Sequence, residues 1–181
     1  MPRRAATALF TALLMGAGPP AIAGPHVHGE GRLDIAVEGA GVTLLLRMPM
    51  ESLVGFERAP RTDDERARVA AALARLREPA RLFTFDAAAG CTPAGAPDLH
   101  APVIGLAPAG GVATTGSRDG HADLDATLRF ACTTPGSLRE VKHALFEAFP
   151  RLSRLVVQVA GAKGQAKAVL RRPAAVIALQ K

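Results

Sequence analysis

Polar and apolar residues alternate from Arg32 to Glu38, with Leu33, Ile35 and Val37 on one face and Arg32, Asp34 and Glu38 on the other. A period of two over this length predicts a half-buried strand. Gly39-Ala40-Gly41 connects it as a hairpin to a more apolar strand over 42–48. Pro49 ends that strand, because proline has no N–H to give to a ladder. The period then lengthens. Thr62 and Glu65 have capping-box spacing, and Val69, Ala72, Leu73 and Leu76 recur at helical intervals, which predicts an amphipathic helix over 63–77. Leu82, Phe83 and Phe85 mark a third strand.

From 92 to 120 the chain is dominated by Gly, Pro, Ala, Ser and Thr and holds neither period, so it reads as a long exposed loop with room for a short strand around 103–106. Leu124, Ala126, Leu128, Phe130 and Cys132 then share one face of a strand over 122–132. Thr134 and Pro135 can open a helix, and Leu138, Val141, Leu145 and Phe149 form a stripe that predicts a second amphipathic helix. On that helix His143 falls at the surface. Strands over 155–160, 165–170 and 175–179 complete the chain. Strands with two interspersed helices predict an α+β fold, a two-layer sandwich of a mostly antiparallel sheet with two amphipathic helices.

The first residues belong to a different pattern. Arg3 and Arg4 precede an apolar run over 5–18, and Ala21-Ile22-Ala23 has the small residues of a signal-peptidase site. The run breaks at Gly16, Gly18 and Pro19-Pro20, short of the ~20 residues needed to span a bilayer. The expectation is a signal peptide over 1–23, a periplasmic product with no membrane span after cleavage, and a single domain over 24–181 carrying a flexible loop at about 92–120. Export lowers the formal net charge from +6 to +4, since Arg3 and Arg4 leave with the leader. The remaining basic residues are scattered and the chain has no Trp or Tyr, which argues against nucleic acid and against a site built on aromatic stacking. In an oxidising compartment the two cysteines, Cys91 and Cys132, are most simply a disulfide; thiolate ligation lacks a CxxC spacing.

Cleavage after Ala23 would leave His26 and His28 close to the new amino terminus. In an extended chain they point the same way with Cα atoms about 6.5 Å apart, near enough to grip one ion. A polar tail that happens to contain histidine is the plain alternative. His121, Asp123 and Asp125 occupy alternate positions on the outward side of the strand ending at Cys132. One imidazole and two carboxylates can hold a divalent ion, but three ligands on one straight strand splay too widely, so a partner such as the His26–His28 pair is required. A solvated polar face explains the same residues without metal. Imidazole suits zinc, copper and nickel. His100 sits in the loop, within reach of a loose site, and Glu57 after Gly55-Phe56 reads as structural. GxSxG, HExxH, SxxK and P-loop patterns are absent, and no residue stands out as a general base, so an enzyme is not expected.

The leader, the HVHGEGRLDIAVEG opening, MPMESLVGFERAP, HADLDATLRFAC and LFEAFPRLSRLVVQV occur together and in order. In this combination the chain resembles the zinc-regulated protein A (ZrgA) family of proteobacterial periplasmic proteins. The resemblance implies a zinc-binding accessory protein working beside an ABC-type zinc-uptake complex, with His26, His28 and His121 at positions of the family's histidines. The chain also departs from the family. Relatives often carry a dense His and Asp run between the cysteines, where this chain has only His100, and Arg58 and Asp125 stand where relatives can have histidine. These departures fit a single mixed N/O site; they also fit a structural or adaptor module that contacts an envelope or transporter partner without metal.

Overall fold

Ten strands and four short or medium helices fill residues 28–107, 122–162 and 164–179, the residues that the computed structural model describes. The alternating segments form the long strands: β1 (Glu30–Glu38), β2 (Gly41–Pro49) and, later, β6 (Asp123–Cys132). β2 lies between the other two and runs antiparallel to both, which sets Ile35 opposite Leu44 and Leu44 opposite Leu128. The carboxy-terminal hairpin of β8 (Arg154–Gly161) and β9 (Gly164–Arg171) joins through β8, which lies parallel to β1. The large sheet thus runs β4-β6-β2-β1-β8-β9, where β4 is Cys91–Pro93; β5 (Asp98–His100) shares the β4 edge of β6.

Three further strands make a small sheet in the order β10-β7-β3: β3 (Phe83–Phe85), β7 (Glu140–His143) and β10 (Val176–Ala178). The inner face of the large sheet supplies Leu33, Ile35, Leu44, Leu46, Leu124, Leu128, Leu155 and Val157 to a core completed by Phe83, Val141 and Ile177 of the small sheet. Helix α2 (Asp63–Leu76) buries Val69, Ala72 and Leu76 against the same core. The fold is α+β, with mainly antiparallel sheets, as the hydrophobic pattern predicts.

Two expectations are corrected. No single helix spans the stripe from Leu138 to Phe149. A 3-10 turn over Pro135–Ser137 leads into β7, and only Leu145–Ala148, α4, is helical. Leu138, Val141, Leu145 and Phe149 are all buried, as a stripe requires, but from different elements. Val141 and His143 alternate with exposed Lys142 because β7 is the middle strand of the small sheet, held by β3 on one side and β10 on the other. His143 is therefore buried at 4% exposure, not on the surface. Its Nδ1 accepts the Leu145 N–H, its ring stands edge-on to Phe146, and burial lowers its pKa. The second correction concerns the expected loop. Its described part contains β4, β5 and a 3-10 turn over Pro102–Ile104, while residues 108–121 lie outside the described region. Cys91 and Cys132 stand directly opposite one another on β4 and β6 and form a disulfide.

Helix α2 begins as its sequence predicts, with one change of partner. The Thr62 side chain accepts the Glu65 N–H at 3.2 Å, but the Glu65 carboxylate turns back to the Arg61 N–H at 2.6 Å and takes two guanidinium hydrogen bonds from Arg58, at 2.8 and 2.6 Å. The Arg58 hydrogen bond, then that from Arg61, lowers the Glu65 pKa from 4.5 to about 2. A carboxylate depressed by folding adds stability that is complete above its unfolded pKa and lost as pH falls through the folded one. Glu65→Gln is expected to lower stability at neutral pH and to flatten its decline between pH 4.5 and about 2. Urea midpoints measured across that interval check this; parallel curves for the two proteins would contradict it.

Candidate metal site at one end of the large sheet

The strand directions bring three segments to one end of the sheet. β1 and β6 both run antiparallel to β2, so both start where β2 ends. Glu30 lies opposite Arg154, Pro49 lies opposite Asp123, and the starts of β1 and β6 are two strand spacings apart, about 9.5 Å. The segment carrying His28 and the segment carrying Asp123 therefore emerge at the same end of the sheet, with β2 between them. Helix α1 (Met50–Val54) follows β2 at this end and ties the segments together. Met50 donates its N–H to the Ala122 carbonyl at 2.7 Å, and the Ser52 hydroxyl accepts the Gly29 N–H at 3.0 Å. The Gly29 carbonyl in turn accepts the N–H groups of Ser153 and Arg154.

Glycine is needed where α1 turns into the next loop. Gly55 has φ +91°, and a Cβ there would come within 3.0 Å of the Arg151 guanidinium. The turn delivers Phe56, which lies beneath the Arg58 and Arg68 guanidiniums at 5.2 and 5.6 Å, and then Glu57. With Arg58 clamped on Glu65, this loop is held from both sides. Arg58 thus anchors the loop through its ion pair with Glu65.

The result is a contact that spacing in the sequence did not reveal. His28 Nε2 lies 3.2 Å from Glu57 Oε1, with the imidazole 62% exposed and the carboxylate 24%. At this distance the imidazole can turn its Nε2–H toward the carboxylate and keep the Nδ1 lone pair for a cation, with the carboxylate biasing its orientation. The tautomer is assigned from that neighbour. Glu57, expected to be structural, instead faces the candidate site.

The other candidate residues divide into three groups. His26 and His121 lie outside the described residues. Asp123 begins β6 at the same end of the sheet as His28. Asp125 is held by Arg47, whose Nε donates to Oδ1 at 2.7 Å. That hydrogen bond, with Asp123 and Asp34 also nearby, raises the Arg47 pKa. The structure thus gives Asp125 a cationic side chain as its partner. His100 pairs in register with Asp125 across β5 and β6, which sets it on the outer face behind the sheet end. Among the described residues no three His, Cys, Asp or Glu side chains are gathered closely enough to hold a metal ion. His28 and Glu57 are in contact at this end, where Asp123 begins β6, and Glu30 and Glu51 at the same end pair with Arg154 and Arg151. Zinc sites take four ligands, so the remaining donors must come from elsewhere, water included.

No helix among the described residues is long and apolar enough to cross a membrane. A family model described as ZrgA family zinc uptake protein matches residues 25–179. None of the curated proteins compared with the chain matches it.

Proposed function

The chain belongs to the ZrgA family of zinc uptake proteins, and on that premise we propose that it is a periplasmic zinc-binding accessory protein that passes the ion to an ABC-type transporter. The observation that carries the proposal is the meeting of the His28 imidazole and the Glu57 carboxylate at the end of the sheet where β6 also begins. His26, two residues before His28, and His121, two before Asp123, are the further donors that the proposal calls on. The leader over 1–23 and the Cys91–Cys132 disulfide fit an oxidising compartment outside the cytoplasm.

Coordination is the whole of the proposed mechanism. A neutral imidazole and carboxylates bind the ion, and acid weakens the complex by protonating the imidazole. An exposed site with water among its ligands exchanges ions readily, which suits delivery more than storage. Ser52, already engaged by the Gly29 N–H, contributes to the architecture and not to a reaction. Copper and nickel are accepted by the same donors, so preference for zinc rests on the family.

A second function, an adaptor that contacts an envelope or transporter partner without metal, is favoured by one observation: Arg47 and Arg58 occupy the neighbours of the site with ion pairs. Equilibrium dialysis of the purified protein against zinc separates the two. The proposal expects about one ion retained per chain. Dialysis that leaves the protein zinc-free at micromolar zinc would support the adaptor instead.

A further inference from the structure

Charge is distributed unevenly along this chain. Between Ala148 and the terminus there are seven basic residues and no Asp or Glu. This stretch builds β8, β9 and β10. Several of its cations have partners: Arg151 pairs with Glu51, Arg154 with Glu30, and Arg172 donates to the carbonyls of Pro150 and Leu152. Lys167 and Arg171, both exposed on β9, make no ion pair among the described residues.

The same strand has an open side. β9 ends the large sheet, with β8 as its one neighbour among the described strands, and β10 ends the small sheet beside β7. A groove of about 160 Å³ lies between them, lined by β9 residues that include Gln165 and Lys167 and by Val176 to Leu179. Val169 and Val176, at 44% and 46% exposure, are the large apolar side chains most open to solvent among the described residues. An edge strand turns the N–H and C=O groups of alternate residues outward, a ready template for another extended chain.

We propose that the β9 edge and its groove receive an extended acidic segment of a partner polypeptide, added to the large sheet as a further strand. Lys167, Val169 and Arg171 share one face of β9, because side chains two and four residues apart point the same way. A strand laid antiparallel beside them would present an acidic, an apolar and an acidic residue at alternate positions. Opposite charges directly across a strand pair attract, and like charges repel. A second copy of this chain paired at Val169 would set Lys167 against Arg171 twice. The feature that discourages self-association therefore selects an acidic partner. Main-chain hydrogen bonds would supply affinity, and the two cations would supply register.

The test uses the blocked peptide Thr-Glu-Thr-Val-Thr-Glu-Thr, titrated into the isotopically labelled protein and followed by amide shifts and hydrogen exchange. Shifts and slowed exchange confined to β9 and β10 are expected, with affinity that falls as salt rises. Lys167→Glu with Arg171→Glu should weaken binding at least tenfold. The same double variant should bind Thr-Lys-Thr-Val-Thr-Lys-Thr, a charge-swap rescue that loss of folding cannot produce. Equal binding of both peptides to the wild type, shifts centred elsewhere, or no shift at millimolar peptide would overturn the proposal. So would a dimer closed through β9, or binding of phosphatidylglycerol vesicles that the acidic peptide does not displace.

Discussion

Replacing both cysteines, Cys91→Ser with Cys132→Ser, is expected to cost the fold about 4 kcal/mol. The bridge closes 41 residues of chain, and a loop of that length gives a value of this size in the chain-entropy treatment. The local structure explains why little else compensates. β4 is three residues long, lies on a sheet edge, and ends in Pro93, which has no N–H for β6. Among the described residues, the segment between the cysteines returns to β6 through short pieces: the Ala94 N–H on the Arg129 carbonyl at 2.8 Å, and β5 opposite residues 125–127. For a chain of this size the loss corresponds to a fall in Tm of roughly 8–16 °C. Urea or thermal unfolding of the variant beside the oxidised protein checks it. Equal midpoints would mean that the loop is already constrained in the unfolded chain.

The parts of the fold written most clearly in the sequence are those where one face is buried and the other is wet. β1, β2 and β6 alternate because their outer faces carry Arg32, Asp34, Arg47 and Asp125 while their inner faces pack the core. α2 is legible for the same reason, and because Thr62 caps it. β7 is hidden since its two inward residues are Val141 and a histidine, so the alternation shows only one apolar member. The nearby spacing of Leu138, Val141, Leu145 and Phe149 imitates a helix by coincidence of successive turns. β4 and β5 are hidden because main-chain pairing to β6, not side-chain patterning, makes them strands. In the candidate site, His28 is singled out by its spacing from His26 in the sequence. Glu57 is not, because the contact spans separate segments and depends on the α1 turn at Gly55. The signal available was the Gly55-Phe56-Glu57 run on which the family resemblance partly rests.

Loss of the His28–Glu57 pair is expected to have the largest effect on zinc. His28→Ala removes a proposed ligand and should weaken binding at least tenfold, about 1.4 kcal/mol. Glu57→Gln keeps the shape and an acceptor for Nε2–H but removes the charge that orients the imidazole and balances the cation. Partners of ligating histidines typically contribute roughly 10–100-fold to affinity, so a loss near the lower end is expected. His26→Ala combined with His28→Ala should weaken binding further if the amino-terminal donors act on the same ion. Asp125→Asn disturbs the Arg47 ion pair and should leave zinc affinity nearly unchanged, because that carboxylate already has its partner.

These variants reduce to one comparison: zinc isotherms for the wild type, His28→Ala, Glu57→Gln and Asp125→Asn, recorded at the same pH and salt against a competing chelator dye. Weakening in the first two variants with an unaltered Asp125→Asn curve is the predicted result. Wild-type affinity in His28→Ala, or a loss confined to Asp125→Asn, would move the ion away from the sheet end and contradict the account.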